Sequence, residues 1–283
     1  MGTSKKKLNQ PQKFTKIEKA REAKIYQADT LLQKGRFELS LNERRLILYT
    51  VAHIKPTDDR FKEYTFKLKD LYEICGIHGN DSYTEIKKNI AGLRDKAWWI
   101  TMEDPNEPGT ECESRVSWFA VTRTNKRSGK FTVMFHPDMM PYLLELSHRR
   151  ADGGGYYTQY TFQYVLPMKS QYSIRLYELL KSYQKNNMSW YFQIEDLKRL
   201  LDCRHYARFA DFRRFALEPA IKEINEYSDI RIKHETEKDG KRIDTITFFM
   251  VEKATPEKLE AQKKGLTALD GKVHYWDKDD EQK

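Results

Sequence analysis

The chain has 283 residues, of which 39% are hydrophobic and 13% aromatic, and carries a formal net charge of +9. That is long enough for two ordinary domains, too apolar for a disordered chain, and basic enough to suggest a polyanionic partner. No apolar run approaches the ~18 residues of a membrane span, and the first residues, MGTSKKKLNQPQKF, lack the apolar stretch of a secretory signal, so a cytoplasmic protein is expected.

Residues 1–25 read as a basic N-terminal arm, leading into a helix expected around Ile17 to Leu32. From Leu39 the periodicity predicts a helix (LSLNERRLILYTVAHI), a short strand (YTFKL), a short helix (KDLYEICGI) and a longer one (SYTEIKKNIAGLRDKA). Two strand-like runs follow, SRVSWFAVTR and KFTVMFH, joined by TNKRSG. The segment RRADGGGYY contains three consecutive glycines, which impose almost no backbone preference, and reads as a linker near a domain boundary.

From Gln171 the same order returns. It runs through a helix (QYSIRLYELLKSY), a strand (WYFQI) and a helix (EDLKRLLDC) to a further helix within ARFADFRRFALEPAIKEIN. Two strands, DIRIKHETE and RIDTITFFM, close the unit around KDGK. At an offset of 126 residues Phe66 meets Phe192, Leu68 meets Ile194, Asp70 meets Asp196 and Leu71 meets Leu197, and the same offset brings Tyr83 to Phe209 and Ile86 to Phe212. Helix, strand, helix, helix and β-hairpin is the order of a winged helix. The expected fold is therefore α+β, with two tandem winged-helix domains related by internal duplication, over residues 26–150 and 151–251. Residues 252–283 read as a polar tail with one helix near Pro256 to Lys264.

In such a domain the third helix packs one face on the others and offers the opposite face to the DNA major groove. In the second domain Phe212, Phe215, Ala216, Ala220, Glu223 and Tyr227 form the expected inward stripe. Arg214 then projects outward with Arg213 on its flank, and Arg204, His205 and Arg208 lead into the helix. An arginine can donate two hydrogen bonds to guanine O6 and N7, so Arg204, Arg208, Arg213 and Arg214 are the candidate base readers. Pro219 should kink this helix or remove one backbone hydrogen bond. In the first domain Tyr83, Ile86, Ile90, Leu93 and Ala97 face inward, while Thr84, Glu85, Lys88, Gly92 and Asp95 form a nearly neutral outer face. Thr84 and Lys88 are its candidate backbone contacts.

Both hairpin tips combine turn chemistry with positive charge. Lys126, Arg127 and Lys130 lie at one, and Lys238, Lys241 and Arg242 at the other, where Asp-Gly is a strong hairpin signal. Exposed hairpin tips often carry lysine without contacting anything; two basic wings, each beside a candidate reading helix, favour phosphate contact.

These blocks also resemble a family, the initiator replication proteins of iteron-bearing plasmids. The resemblance runs from about Tyr26 to Phe249 through FELSLNERRLILY, YTFKLKDLYEICGI, FHPDMMPYLLEL, PMKSQYSIRLYELLKSY and DFRRFALEPAIKEIN, in that order. It implies two winged-helix domains that bind directly repeated origin sequences, the iterons, with the second making the main base contacts. Carried onto RFADFRR, it places the reading role on Arg208 and Arg214, with Arg213 beside them. It further implies that monomers open the origin, that homodimers formed through the first domain repress the protein's own gene, and that a host helicase and a host initiator are partners. The basic arm, the triple glycine and the C-terminal extension depart from the family's pattern.

Signatures of catalysis are absent. The seven histidines include no His-x-His pair, as a nicking enzyme would need beside its tyrosine, and the three Gly-Lys pairs are followed by Phe131, Arg242 and Val273 rather than Ser or Thr. No catalytic residue, metal ligand or cofactor is expected. Cys75, Cys112 and Cys203 form no close pair and read as buried small residues of a reducing compartment. Trp98 and Trp99, flanked by Ala97 and Ile100, read as strand or core residues rather than base-stacking platforms. The alternatives are a winged-helix repressor, which would bind one inverted repeat, a nicking or primase-like enzyme, and a protein–protein scaffold with a basic surface.

Overall fold

The computed structural model describes residues 16–270 apart from 77–87, 89, 91, 94, 105, 126, 152–155 and 185–187. The chain opens with α1 (Lys16–Arg21), β1 (Lys24–Ala28), α2 (Asp29–Lys34) and β2 (Arg36–Phe37). The single helix expected over 17–32 is thus broken by a strand. Lys24–Ala28 pairs antiparallel with β8 (Tyr157–Thr161), a partner far along the chain that outweighs local helix propensity.

The first winged-helix unit follows. Ser40 caps α3 (Leu41–Val51) with a reciprocal capping box: its hydroxyl accepts from Glu43 N while the Glu43 carboxylate accepts from Ser40 N. Next are β3 (Tyr64–Lys67) and α4 (Leu68–Cys75), which Gly76 terminates at φ +61°. Most of the expected third helix lies outside the described residues. Lys88, Ile90 and Gly92 are helical, and Ala97 begins a strand instead of ending that helix.

The run SRVSWFAVTR divides into two strands of different sheets. β4 (Ala97–Glu103) pairs with β2 and β5 (Glu111–Ser117), while β6 (Phe119–Asn125) forms the wing with β7 (Lys130–Phe135). The break falls at Trp118. Its side chain is fully buried, its N–H donates to Lys96 O, and its carbonyl accepts from His136 N. The wing sheet has the order β3-β7-β6. His136 follows β7 and caps the turn after it, its Nδ1 accepting from Asp138 N.

After α5 (Met140–Leu143), α6 (Leu146–Ala151) and β8, the second unit repeats the first as α7 (Gln171–Gln184), β9 (Ser189–Gln193) and α8 (Ile194–Leu200). The third helix comprises α9 (Phe209–Phe212), a π-helical turn (Arg213–Leu217) and α10 (Glu218–Tyr227), followed by wing strands β10 (Ile230–Asp239) and β11 (Arg242–Glu252). Its sheet has the order β10-β11-β9, so in both units the strand before the second helix pairs with the returning strand of the wing. Phe66 and Phe192 occupy equivalent strand positions, and Leu68 and Ile194 both open the helix that follows; all four are buried. The repeat read from the sequence is a repeat of structure.

One continuous buried cluster runs from Ile25 to Leu269 through both units. Between them lies a buried ion pair: Arg44 of α3 donates to Glu178 of α7, whose other oxygen accepts from Tyr160 OH. Arg175 donates to Leu200 O at 3.1 Å and Gly35 O at 2.6 Å, and the Phe37 ring lies between the Arg44 and Arg175 guanidiniums, 4.7 and 4.6 Å from its centroid. Burial pushes the Arg175 pKa down. The last helix, α11 (Thr255–Asp270), is longer than the 256–264 expected and returns to the first unit. Its Asp270 accepts two hydrogen bonds from Arg21, which also donates to Ile74 O and Glu73 O at the end of α4.

Candidate nucleic-acid interface

The buried stripe of the second unit's third helix is Phe212, Ala216, Leu217, Ala220 and Ile224. Phe215, expected inside, is 50% exposed. Pro219 supplies the reason. Its missing N–H would leave Phe215 O without its α-helical donor, and its ring would crowd that carbonyl. The backbone widens here, and Glu218 N–H donates five residues back to Arg213 O. A wider turn advances less than the ~100° per residue of an α-helix, which carries Phe215 off the Phe212–Ala216 stripe. Glu223, the polar interruption of the expected stripe, accepts from the Lys169 and Ser170 N–H groups at 3.1–3.3 Å, fixing the helix to the loop before α7.

Four arginines stand on or beside the exposed ridge, in different states. Arg208 is 78% exposed in its side chain and closes a fork on Asp211, Nε to Oδ2 at 2.7 Å and Nη2 to Oδ1 at 3.0 Å. This hydrogen bonding holds the Asp211 carboxyl below its usual range and raises Arg208. Arg213 lies 3.3 Å from Glu218. Arg214 is exposed and makes no ion pair among the described residues; its guanidinium sits 5.1 Å from the Phe215 ring centroid. Arg204 is exposed in the turn before the helix, beside a groove of about 580 Å³ that Arg36, Lys96 and His205 also line.

Both wing tips carry exposed charge. Lys238, Lys241 and Arg242 are exposed at the second tip, where Gly240 takes φ +57° as the first of two turn residues. At the first tip Asn125 Oδ1 accepts from Arg127 N and Ser128 N, both at 3.0 Å, while Arg127 and Lys130 are exposed. Lys126 lies outside the described residues, as does Thr84; Lys88 is exposed.

Sequence reading missed Lys67. It lies exposed directly across the ladder from Lys130, and like charges so placed repel unless an anion joins them. Only the strand register brings the two together. Trp98 is fully buried in β4, and the Trp99 ring carries the Arg36 guanidinium at 4.5 Å and that of Arg115 at 5.5 Å. Cys75 and Cys203 are buried as expected, but Cys112 on β5 is partly exposed.

Among the described residues no group of three or more His, Cys, Asp or Glu could hold a metal ion, and no helix is long and apolar enough to cross a membrane. The third helix of the second unit offers exposed hydrogen-bond donors, and each wing tip carries exposed basic residues, features suited to a duplex groove rather than to an enclosed small molecule.

Two family models match the chain: "Initiator Replication protein, WH1" over residues 24–181 and "Initiator Rep protein, WH2" over residues 193–250. An Escherichia coli replication initiation protein is 23% identical over 225 residues, and the match covers 76% of this chain but only 65% of that protein's length. An uncharacterised 27.6 kDa protein of E. coli is 23% identical over 82% of this chain and 96% of its own. Among solved structures, the Pi initiator protein in complex with iteron DNA superposes with a TM-score of 0.64 at 20% identity, over 83% of this chain and 99% of that one, a likeness of fold. With matched models covering both winged-helix units in order, this chain belongs to the initiator replication protein family.

Proposed function

We propose that this protein initiates plasmid replication by binding directly repeated origin sequences, with Arg214 at the centre of base recognition. The observation that carries the reading is the exposed ridge of the third helix in the second unit, where Arg214 makes no ion pair among the described residues. Arg204, Arg208 and Arg213 read bases beside it, the latter two after exchanging Asp211 and Glu218 for DNA. Lys67, Lys88, Arg127, Lys130, Lys238, Lys241 and Arg242, with Thr84 and Lys126, hold the phosphates and give binding its salt dependence. Binding along an array bends the DNA and lowers the cost of melting an adjacent A·T-rich segment. Homodimers repress the protein's own gene, and a host helicase and a host initiator join the opened origin; the support for these roles is the family resemblance alone.

DNase footprinting of the DNA flanking the protein's gene, at two salt concentrations, tests this. Regularly spaced protection over direct repeats, a helical turn or a multiple apart, is the expected result. Protection of a single inverted repeat would make the protein a repressor without the initiator role, and no protected site at either salt would refute DNA reading by this helix.

A further inference from the structure

The ridge carries one group that phosphate and guanine recognition leave unused. Phe215 is half-exposed between Arg214 and Glu218, where an ordinary surface position would be polar. Its ring is not loose. It lies parallel to Tyr206, with centroids 6.0 Å apart and planes at 20°, and Tyr206 is held between His205 at 4.1 Å and Tyr172 at 6.4 Å. The π turn commits backbone geometry to this outward placement.

We propose that Phe215 is a specificity residue that packs against the C5 methyl group of a thymine in the major groove. The inference rests on the DNA-reading role of this helix. The thymine methyl is the one apolar group on a major-groove base edge, and an aromatic side chain on a recognition helix is a suitable partner for it. Adjacent on the helix, Arg214 and Phe215 would read neighbouring base pairs, a guanine by paired hydrogen bonds and a thymine by apolar contact. The aromatic stack behind the ring fixes its position before binding, so contact costs little ordering entropy. A ring that served only to support the Arg214 guanidinium would make no distinction between thymine and uracil.

The test replaces each thymine of the protected site in turn by deoxyuridine, which removes only the methyl group. Binding is measured for the wild-type chain and for Phe215→Ala, Phe215→Leu and Arg214→Ala. Wild-type affinity should fall about fourfold at one thymine, the worth of one buried methyl group. Phe215→Ala should bind thymine and uracil equally there, Phe215→Leu should keep most of the preference, and Arg214→Ala should keep it while losing guanine selection. A wild-type chain indifferent to every uracil substitution, or a Phe215→Ala variant that keeps the preference, would overturn the assignment while leaving DNA reading intact. The absence of any protected site would remove the reading helix itself, and this inference with it.

Discussion

Removing the carboxylate of Glu178 should be among the most damaging single changes outside the DNA-facing surface. Glu178 is completely buried, Arg44 is 3% exposed, and the pair joins the first helix of one unit to that of the other. In Glu178→Ala the Arg44 guanidinium stays behind in a site that no longer neutralises it, with Arg175 nearby, and Tyr160 OH loses its acceptor. Breaking one side of a buried pair costs about 3–5 kcal/mol, mostly because the other charge stays desolvated. With a urea dependence near 3 kcal/mol/M, the unfolding midpoint falls by ~1 M or more. Tryptophan emission, which follows buried Trp98 and Trp118, and far-ultraviolet dichroism should be recorded together, since one transition seen by both probes licenses the comparison. The double variant Arg44→Met with Glu178→Leu removes both charges and should recover most of the loss. A Glu178→Ala variant within 1 kcal/mol of wild type by this measure, or a double variant no better than the single, would refute the account of Arg44 as a charge dependent on Glu178.

Asp211→Asn releases the Arg208 fork and removes a negative charge from the ridge, so Arg208 gives up no ion pair to reach DNA and gel-shift titrations should show tighter DNA binding than the wild-type chain at the same salt. Changing Lys238, Lys241 and Arg242 together to Gln should weaken binding to all sequences alike and flatten the log–log salt slope by ~2–3, leaving base preferences measured by competition unchanged. Burial lowers the His53 pKa from its usual 6.5; its Nδ1 lies 2.8 Å from Tyr49 O and its ring packs on Phe66. Between the depressed folded pKa and 6.5 the unfolded chain binds more protons than the folded one, so stability is full above pH 6.5 and is lost as pH falls through the folded value. Chemical denaturation at stepped pH should show this slope, and His53→Gln should reduce it.

Periodicity and repeat were enough to read both winged-helix units, because strand-then-helix junctions such as Lys67–Leu68 and Gln193–Ile194 are local events. What escaped reading depends on partners distant in sequence. The strand character of Lys24–Ala28 exists only against Tyr157–Thr161, and the division of one apparent strand at Trp118 is set by contacts with Lys96 and His136. On the ridge, arginine positions were visible, but their ion pairs with Asp211 and Glu218 needed side-chain geometry. Pro219 did signal an irregular helix; that the irregularity is a π turn that presents Phe215 outward was not written in a 3.6-residue pattern.

The pairing of β1 with β8 also sets a timetable for synthesis. At about 5–20 residues per second a ribosome needs on the order of ten seconds to pass from Ala28 to Thr161. For that interval a nascent strand waits without its mate, and Arg21 waits longer still, until Asp270 emerges. A messenger that stops early would therefore release a chain whose first unit lacks its closing contacts, so translation to near the end of α11 acts as a checkpoint on which products can complete the shared core.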